Sequence, residues 1–252
     1  MVKEALGKLI DPKLKKYIFF PLDFGFYKQP TDDLKNIGTL IDDVIAAKTG
    51  SIMLHKGLIK TYHEKLTQTH YPFFMHITAS TGLYKTICKV QVGSVQEAKD
   101  LGAVGVSTLI YLGNPHELEM LEMLGKICEE ADRLDMLVYT MMYVADFENG
   151  KFIEKTSLDD IKYAARVAYE LGVDIVETRM PDDLDNLHQV KELCPIPLIL
   201  GDRSEYNENE YVEMIKKTCT AGYDGVSICN RSLKTPFTKL INLTNKGLGN
   251  HE

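Results

Sequence analysis

The chain has 252 residues, of which 44% are hydrophobic and 26% are charged, and its formal net charge is -7. This length suits one eightfold β/α barrel, so it does not require two domains. The acidic balance gives no support for a nucleic-acid surface, and no apolar run approaches the roughly 18 residues of a membrane span.

The cysteines and the N-terminal residues predict a cytoplasmic protein. Five cysteines lie scattered without CxxC spacing, which predicts reduced thiols in a cytoplasmic protein. Residues 1–16 mix apolar residues with lysines and lack the apolar run of a signal peptide. We expect these residues to form an N-terminal extension before the first barrel strand. Residues 244–252 are expected to be a frayed tail.

Short apolar strands alternate with amphipathic helices along the whole chain. The predicted strands lie at 17–25, 51–57, 72–80, 103–110, 136–143, 174–181, 195–200 and 224–229. The predicted helices lie at 31–49, 58–67, 94–101, 117–134, 157–171, 184–193, 208–221 and from 234 onward, with an irregular connection at 81–92 and a polar loop at 146–155. Eight strand–helix units with right-handed crossovers predict a single (β/α)8 TIM barrel of the α/β class over residues 1–252. A doubly wound open sheet is the alternative.

Polar side chains at the carboxyl ends of barrel strands are the candidates for a functional site. These candidates are Asp23, Lys56, His76, Thr78, Ser80, Tyr143, Glu177, Arg179, Asp202, Arg203, Asn230 and Arg231. Several of the charged ones could instead pair with one another, because buried charges need partners. The sequence contains no HExxH motif, no paired Cys–His spacing and no P-loop, so the motifs predict neither a metal nor a nucleotide cofactor.

Several stretches together, spread over residues 17–243, resemble one enzyme family. They are PLDxG at 21–25, MLHKG at 53–57, HITAST at 76–81, VGSVxEA at 92–98, MMY at 141–143, GVDIVET at 172–178 and GVSI at 225–228. This pattern resembles the archaeal-type class I aldolases, which include DhnA-type fructose-bisphosphate aldolases, aminodideoxyheptulosonate synthase and the phospho-autoinducer-2 thiolase. The resemblance implies a homo-oligomer and Schiff-base catalysis, in which a lysine attacks a ketone and the iminium acts as an electron sink.

The resemblance also implies roles for individual residues. Asp23 and Tyr143 correspond to the acid/base aspartate and tyrosine, and Lys56 to a lysine at the mouth of the barrel. The position of the Schiff-base lysine, however, holds Glu177, and a carboxylate cannot form an imine. Other usual residues are also replaced: a histidine by Phe24, an arginine by the stretch 144–146, a phosphate-binding double glycine by the pair at 201–202, and a Gly-Arg pair by the stretch 229–231.

Three interpretations remain open. The first is a divergent lyase that makes or breaks a carbon–carbon bond in a small carbonyl or sugar-like compound, phosphorylated or not, with Asp23 and Tyr143 kept for proton transfer. Lys56 could then carry a relocated Schiff base. The second is a non-catalytic relative with a binding or regulatory role. The third is a metal-assisted lyase in which Asp23, Glu177 and Asp202 hold Mg²⁺ or Mn²⁺; only this one needs a cofactor.

Overall fold

The computed structural model describes residues 3–26, 35–48, 50–83, 87–148, 151–181, 185–201, 206–228 and 237–249. The helices of these ranges are α1 (Glu4–Lys8), α2 (Ile37–Ala46), α3 (Lys56–Gln68), α4 (Val95–Asp100), α5 (Glu117–Leu134), α6 (Leu158–Glu170), α7 (His188–Leu193), α8 (Glu208–Ala221) and α9 (Phe237–Gly247). The strands are β1 (Tyr17–Pro21), β2 (Ser51–Leu54), β3 (Phe73–His76), β4 (Thr78–Ala79), β5 (Val90–Gln91), β6 (Gly105–Leu112), β7 (Leu137–Glu148), β8 (Lys151–Lys155), β9 (Ile175–Thr178), β10 (Leu198–Leu200) and β11 (Gly225–Ser227).

Eight parallel strands close into a barrel, which confirms the predicted TIM-barrel fold. The ring runs β1, β2, β3, β6, β7, β9, β10 and β11, and β11 pairs with β1 to close it. Six of these eight strands have only three to five residues. The barrel strands are almost fully buried, because the helices cover their outer side and side chains fill the interior. Among the described helices, none is both long enough and apolar enough to cross a membrane.

Three aromatic rings pack against one another inside the barrel. The ring centroid of Phe19 on β1 lies 4.7 Å from that of Tyr139 on β7 and 5.9 Å from that of Phe74 on β3, and the last two are 6.0 Å apart. All three side chains are fully buried. This layer fills the barrel below the polar groups at the carboxyl ends of the strands, and it orients the hydroxyl of Tyr139.

Two segments that were predicted to be irregular contain paired strands. Within the predicted polar loop at 146–155, residues 146–148 end β7 and residues 151–155 form β8. The two strands pair antiparallel from Val144 opposite Lys155 onward. The connection predicted at 81–92 contributes β5, which pairs antiparallel with β4. The β7–β8 ribbon continues beyond the barrel strands, so it can place a side chain over the barrel mouth.

Other boundaries differ from the predictions. The strand predicted to end at Lys56 ends at Leu54, and α3 already begins at Lys56. The strand predicted at 17–25 ends at Pro21, and Phe24–Phe26 forms a 3₁₀ turn. Helix α9 continues to Gly247, so the first residues of the predicted tail at 244–252 belong to a helix, and residues 250–252 lie outside the described ranges.

Candidate active site

Glu177 is buried at the carboxyl end of β9, and two tyrosine hydroxyls donate hydrogen bonds to it. Tyr139 donates to Oε2 at 2.5 Å, and Tyr143 donates to Oε1. Register explains this arrangement, because Met141 pairs with Glu177 and lies between the two tyrosines on β7. Residues 139, 141 and 143 share one face of the strand, since alternate residues point to the same side. Both oxygens of the carboxyl group are therefore occupied.

Gly201, directly after β10, lies against the same carboxyl group. A β-carbon added there would lie 1.9 Å from Oε1 of Glu177 and 2.7 Å from its Cγ. The backbone N–H of Gly201 donates to the carbonyl of Thr178 at 2.9 Å, which fixes its position beside β9. A glycine is therefore required for the carboxyl group of Glu177 to occupy this place.

Arg179 covers Tyr143 from the side of the barrel mouth. Its Nε and Nη2 donate to the two carboxylate oxygens of Glu154 on β8 at 2.7 and 2.9 Å, and its Nη1 donates to the carbonyl of Gly201 at 2.8 Å. The guanidinium carbon lies 3.6 Å from the ring centroid of Tyr143, a cation–π contact. Burial by itself lowers the pKa of Arg179, but its contacts with Tyr143, Glu154 and Glu177 raise the pKa by more. The net pKa lies above the ordinary value, so the guanidinium group stays charged.

Tyr139 keeps its proton well into the alkaline range. Burial raises the pKa of its hydroxyl well above the ordinary value, the adjacent Glu177 raises it further, and a hydrogen bond with Ser227 opposes the shift. Burial also raises the pKa of Tyr17 to about 12. In the unfolded chain both hydroxyls would ionise near pH 10.

We expect the protein to lose stability as the pH rises above about 10. Between the unfolded and the folded pKa of a tyrosine, the unfolded chain has lost the proton and the folded protein still holds it, so stability falls as the pH rises. Each such tyrosine lowers the free energy of unfolding by up to about 1.4 kcal/mol for each pH unit. Urea unfolding between pH 8 and 11 measures this slope. Tyr139→Phe should flatten it, and the exposed Tyr163→Phe should not; equal slopes in all three proteins would contradict the expectation.

A second polar cluster lies at the ends of β1, β2 and β3. Oδ2 of Asp23 is 3.5 Å from Nδ1 of His76, and the same nitrogen is 2.8 Å from Oγ of Ser107. Nε2 of His76 is 3.3 Å from Oγ1 of Thr78. Nδ1 of His55 is 3.1 Å from the carbonyl oxygen of His76, and the two rings meet edge to face.

Both histidines of this cluster are uncharged at neutral pH. Burial lowers the pKa of His76 to about 3, with a further contribution from the positive charge of Lys89. Burial also lowers the pKa of His55 to about 4, and the neighbouring His76 lowers it too. The cluster therefore combines two imidazoles that can act as acceptors or metal ligands with one buried carboxyl group.

A cavity of about 20 Å³ lies between the cluster and β7. Asp23, His55 and His76 line it together with Lys89, whose ammonium group is 2.6 Å from Oγ of Ser80. Met141, which lies between the two tyrosines that bind Glu177, lines the same cavity. Met141 therefore neighbours both polar clusters.

The structure places most of the predicted site residues in two groups and leaves Lys56 apart from both. Asp23, His76, Thr78 and Ser80 belong to the cavity cluster, and Tyr143, Glu177 and Arg179 to the buried network. Lys56 is 43% exposed, and its ammonium group is 3.1 Å from a carboxylate oxygen of Glu97. Asp202, Arg203, Asn230 and Arg231 lie outside the described residues.

Six residues of these clusters are not among the candidates that the sequence offers. They are His55, Lys89, Ser107, Tyr139, Glu154 and Gly201. Two of them had a signal in the sequence. His55 directly follows an apolar strand run, and Tyr139 is four positions before Tyr143, on the same strand face.

Comparison with known proteins identifies similar chains. Residues 17–233 match the family described as DeoC/LacD family aldolase. The 2-amino-3,7-dideoxy-D-threo-hept-6-ulosonate synthase of Halobacterium salinarum is 26% identical over 213 residues, which are 84% of this chain and 78% of the relative. The fructose-bisphosphate aldolase class 1 of Thermoproteus tenax is 25% identical over 221 residues, 84% of this chain and 81% of the relative.

Solved structures show the same fold. An archaeal fructose 1,6-bisphosphate aldolase superposes with a TM-score of 0.82 at 22% identity, covering 98% of this chain and 99% of the other. A second archaeal structure, with a TM-score of 0.83 at 22% identity and the same coverage, has its catalytic lysine covalently bound to the carbinolamine intermediate of the substrate.

Proposed function

The chain belongs to the DeoC/LacD family of aldolases, and from this premise we propose that it is a carbon–carbon lyase that works without an imine at position 177. The observation that carries the proposal is the buried carboxyl group of Glu177, which accepts hydrogen bonds from Tyr139 and Tyr143. The proposed substrate is a small hydroxylated carbonyl compound, with or without phosphate. The relatives support this class, since they are named for sugar-like compounds such as fructose bisphosphate.

The two clusters suit the two needs of a retro-aldol cleavage. A base must take the proton of the hydroxyl group beside the breaking bond, and the electron pair of that bond must move to a carbonyl oxygen that is held by positive or hydrogen-bonding groups. In the proposal, Tyr143 takes the substrate proton while its own proton passes to Glu177. Around the cavity, Lys89 stabilises the carbonyl oxygen of the substrate, and Asp23 moves the proton at the carbon atom beside that carbonyl.

Substrate access to Tyr143 needs a local opening. The side chain of Tyr143 is only 2% exposed, and Arg179 stacks on its ring while it binds Glu154. The carboxylate of Glu154 is carried by the β7–β8 ribbon. We therefore expect the ion pair between Arg179 and Glu154 to separate when substrate binds, which would expose the hydroxyl of Tyr143 beside Met141.

A binding protein without catalytic activity is the second candidate function. The observation that favours it is the completeness of the buried network, because Glu177, Tyr143 and Arg179 all have partners inside the barrel. A network of this kind can stabilise a barrel without serving chemistry. The cavity beside Asp23 would then bind a small polar ligand.

Proton exchange at a substrate carbon separates these candidates. The protein is incubated in D₂O with dihydroxyacetone phosphate, dihydroxyacetone or pyruvate, and the loss of the C–H signal is followed by proton NMR. Parallel samples receive borohydride, and their intact mass is measured beside that of Lys56→Ala and Glu177→Lys. We expect exchange with at least one ketone and no adduct on the unmutated protein, because Glu177 cannot form an imine.

Other outcomes would change the proposal. An adduct on the unmutated protein that disappears in Lys56→Ala would show that the Schiff base has moved to the start of α3. An adduct found only in Glu177→Lys would show that the site still holds the ketone and lacks the nucleophile. Absence of exchange with all three compounds would favour the binding role.

A further inference from the structure

We propose that Asp23, His55 and His76 together bind one divalent transition-metal ion, for which Zn²⁺ is the best match. Their donor atoms lie within 4.8 Å of one another. Asp23 and His76 are buried, and His55 is partly exposed at the edge of the cavity. Two imidazoles and one carboxylate, with a fourth position left for water or substrate, are the ligand set of several catalytic zinc sites.

The barrel itself holds the three residues together. They lie at the carboxyl ends of three neighbouring strands: Asp23 and His55 follow β1 and β2, and His76 is the last residue of β3. Leu54 pairs with Met75 in the sheet, which puts His55 beside His76. The backbone N–H of Leu22 donates to the carbonyl of Met53 at 3.0 Å, which ties the segment before Asp23 to β2. Rigid strand ends hold metal ligands more accurately than a mobile loop would.

The distance between two of the donor atoms already fits a tetrahedral ion. Zinc–nitrogen and zinc–oxygen bonds of about 2.0–2.1 Å separate neighbouring ligand atoms by roughly 3.4 Å in a tetrahedron. Oδ2 of Asp23 and Nδ1 of His76 are 3.5 Å apart. This pair could therefore bind one ion with little movement of either side chain, and the ion would replace the hydrogen bond between Ser107 Oγ and Nδ1 of His76, which are 2.8 Å apart.

Neighbouring polar groups orient both imidazoles for binding. Nδ1 of His55 faces the carbonyl oxygen of His76, so it carries the ring proton and leaves the lone pair on Nε2. With a metal on Nδ1 of His76, the ring proton lies on Nε2, and Oγ1 of Thr78 accepts it at 3.3 Å. Thr78 is fixed in turn by the backbone N–H of Leu109, which donates to the same oxygen at 2.9 Å.

The cavity gives the ion an open side. Its volume of about 20 Å³ has room for one water molecule or one substrate oxygen. A bound ion there could polarise a carbonyl oxygen of the substrate. It would then supply the electron sink that is missing because Glu177 cannot form an imine. This catalytic use of the ion rests on the proposed lyase function, whereas binding of the ion does not.

Lys89 opposes the proposed ion and therefore gives a sensitive test. Its ammonium group lines the same cavity, so its positive charge should weaken binding of a cation at Asp23 and His76. Replacing this charge by a neutral side chain of similar length, in Lys89→Met, should tighten binding if the ion occupies this cavity. A metal held elsewhere on the protein would not respond.

Titration with Co²⁺ and then Zn²⁺ tests the proposal directly. The protein is treated with EDTA and desalted, and bound metal is measured by native mass spectrometry and by the visible absorption of Co²⁺. We expect one ion per chain, with Zn²⁺ displacing Co²⁺. Because His55 is partly exposed, His55→Ala should still fold. It should bind the metal at least about 100-fold more weakly, since loss of a group that only hydrogen-bonds to a metal ligand already weakens metal affinity by about 10–100-fold. Exposed His63 on α3 gives the matched control His63→Ala.

The results separate this proposal from the lyase function. One bound ion that is kept in His63→Ala, weakened in His55→Ala and tightened in Lys89→Met supports the site. A folded unmutated protein that binds no ion at micromolar Co²⁺, or equal binding in His55→Ala, overturns it. These measurements need no substrate, so proton exchange remains an independent test of the lyase. If the ion binds and EDTA leaves the exchange rate unchanged, only its catalytic use is overturned.

Discussion

Replacing Asp23 with asparagine should lower the rate of ketone proton exchange by about 10²–10⁴-fold, the range for loss of one acid–base group. Asparagine keeps the size of the side chain but removes its charge, so it can neither take up a proton nor hold a cation. Asp23 lies 3.5 Å from His76 and lines the cavity in which we place the carbonyl end of the substrate. The exchange rate under saturating ketone, measured by proton NMR, checks this expectation.

A matched control distinguishes loss of chemistry from loss of folding. Asp100 is exposed on α4, and its carboxylate accepts a hydrogen bond from Gln96. Asp100→Asn should therefore leave the exchange rate unchanged. The thermal midpoint of both variants is recorded alongside the rate. A loss smaller than about tenfold in Asp23→Asn, at an unchanged midpoint, would remove Asp23 from the reaction.

Strong local patterns predicted much of the fold. Helices α5 and α8 begin and end at the predicted residues, because their apolar periodicity is long. Helix α8 is also bounded by a capping box at Asn207 and by the left-handed Gly222. The β7–β8 ribbon was predicted to be a loop, because residues 146–155 are polar and contain a glycine, which is typical of loops. Their strand character depends on pairing with each other, and a local pattern does not show that partner.

The candidate site was predicted less completely, for a related reason. Asp23, Tyr143 and Glu177 follow from their positions at strand ends, which the sequence shows directly. Tyr139 and Tyr143 bind the two oxygens of one carboxyl group only because of the register between β7 and β9. The patterns of the individual strands do not determine that register. The pairing of Arg179 with Glu154 depends in the same way on the ribbon that was missed.

Replacing Gly201 with alanine should destabilise the protein by about 2–5 kcal/mol. The new methyl group would lie 1.9 Å from Oε1 of Glu177, so the carboxyl group would have to leave its place. Both tyrosine hydroxyls would then lose their acceptor, and each buried polar group left without a partner costs about 1–3 kcal/mol. Urea unfolding at neutral pH measures the change in the free energy of unfolding. Gly125 on α5 has open space around it, so Gly125→Ala should instead stabilise by about 0.5–1 kcal/mol.

A double-mutant cycle shows whether the clash with Glu177 causes the loss. In Glu177→Ala the carboxyl group is absent, so the added methyl group of Gly201→Ala meets no oxygen there and should cost little further stability. The coupling free energy between the two substitutions should therefore be about 2 kcal/mol or more, well above the roughly 0.5 kcal/mol expected for independent sites. Additive losses would mean that Gly201 is needed for its backbone rather than for the space that Glu177 occupies. A large coupling would establish that this glycine and this carboxyl group form one unit.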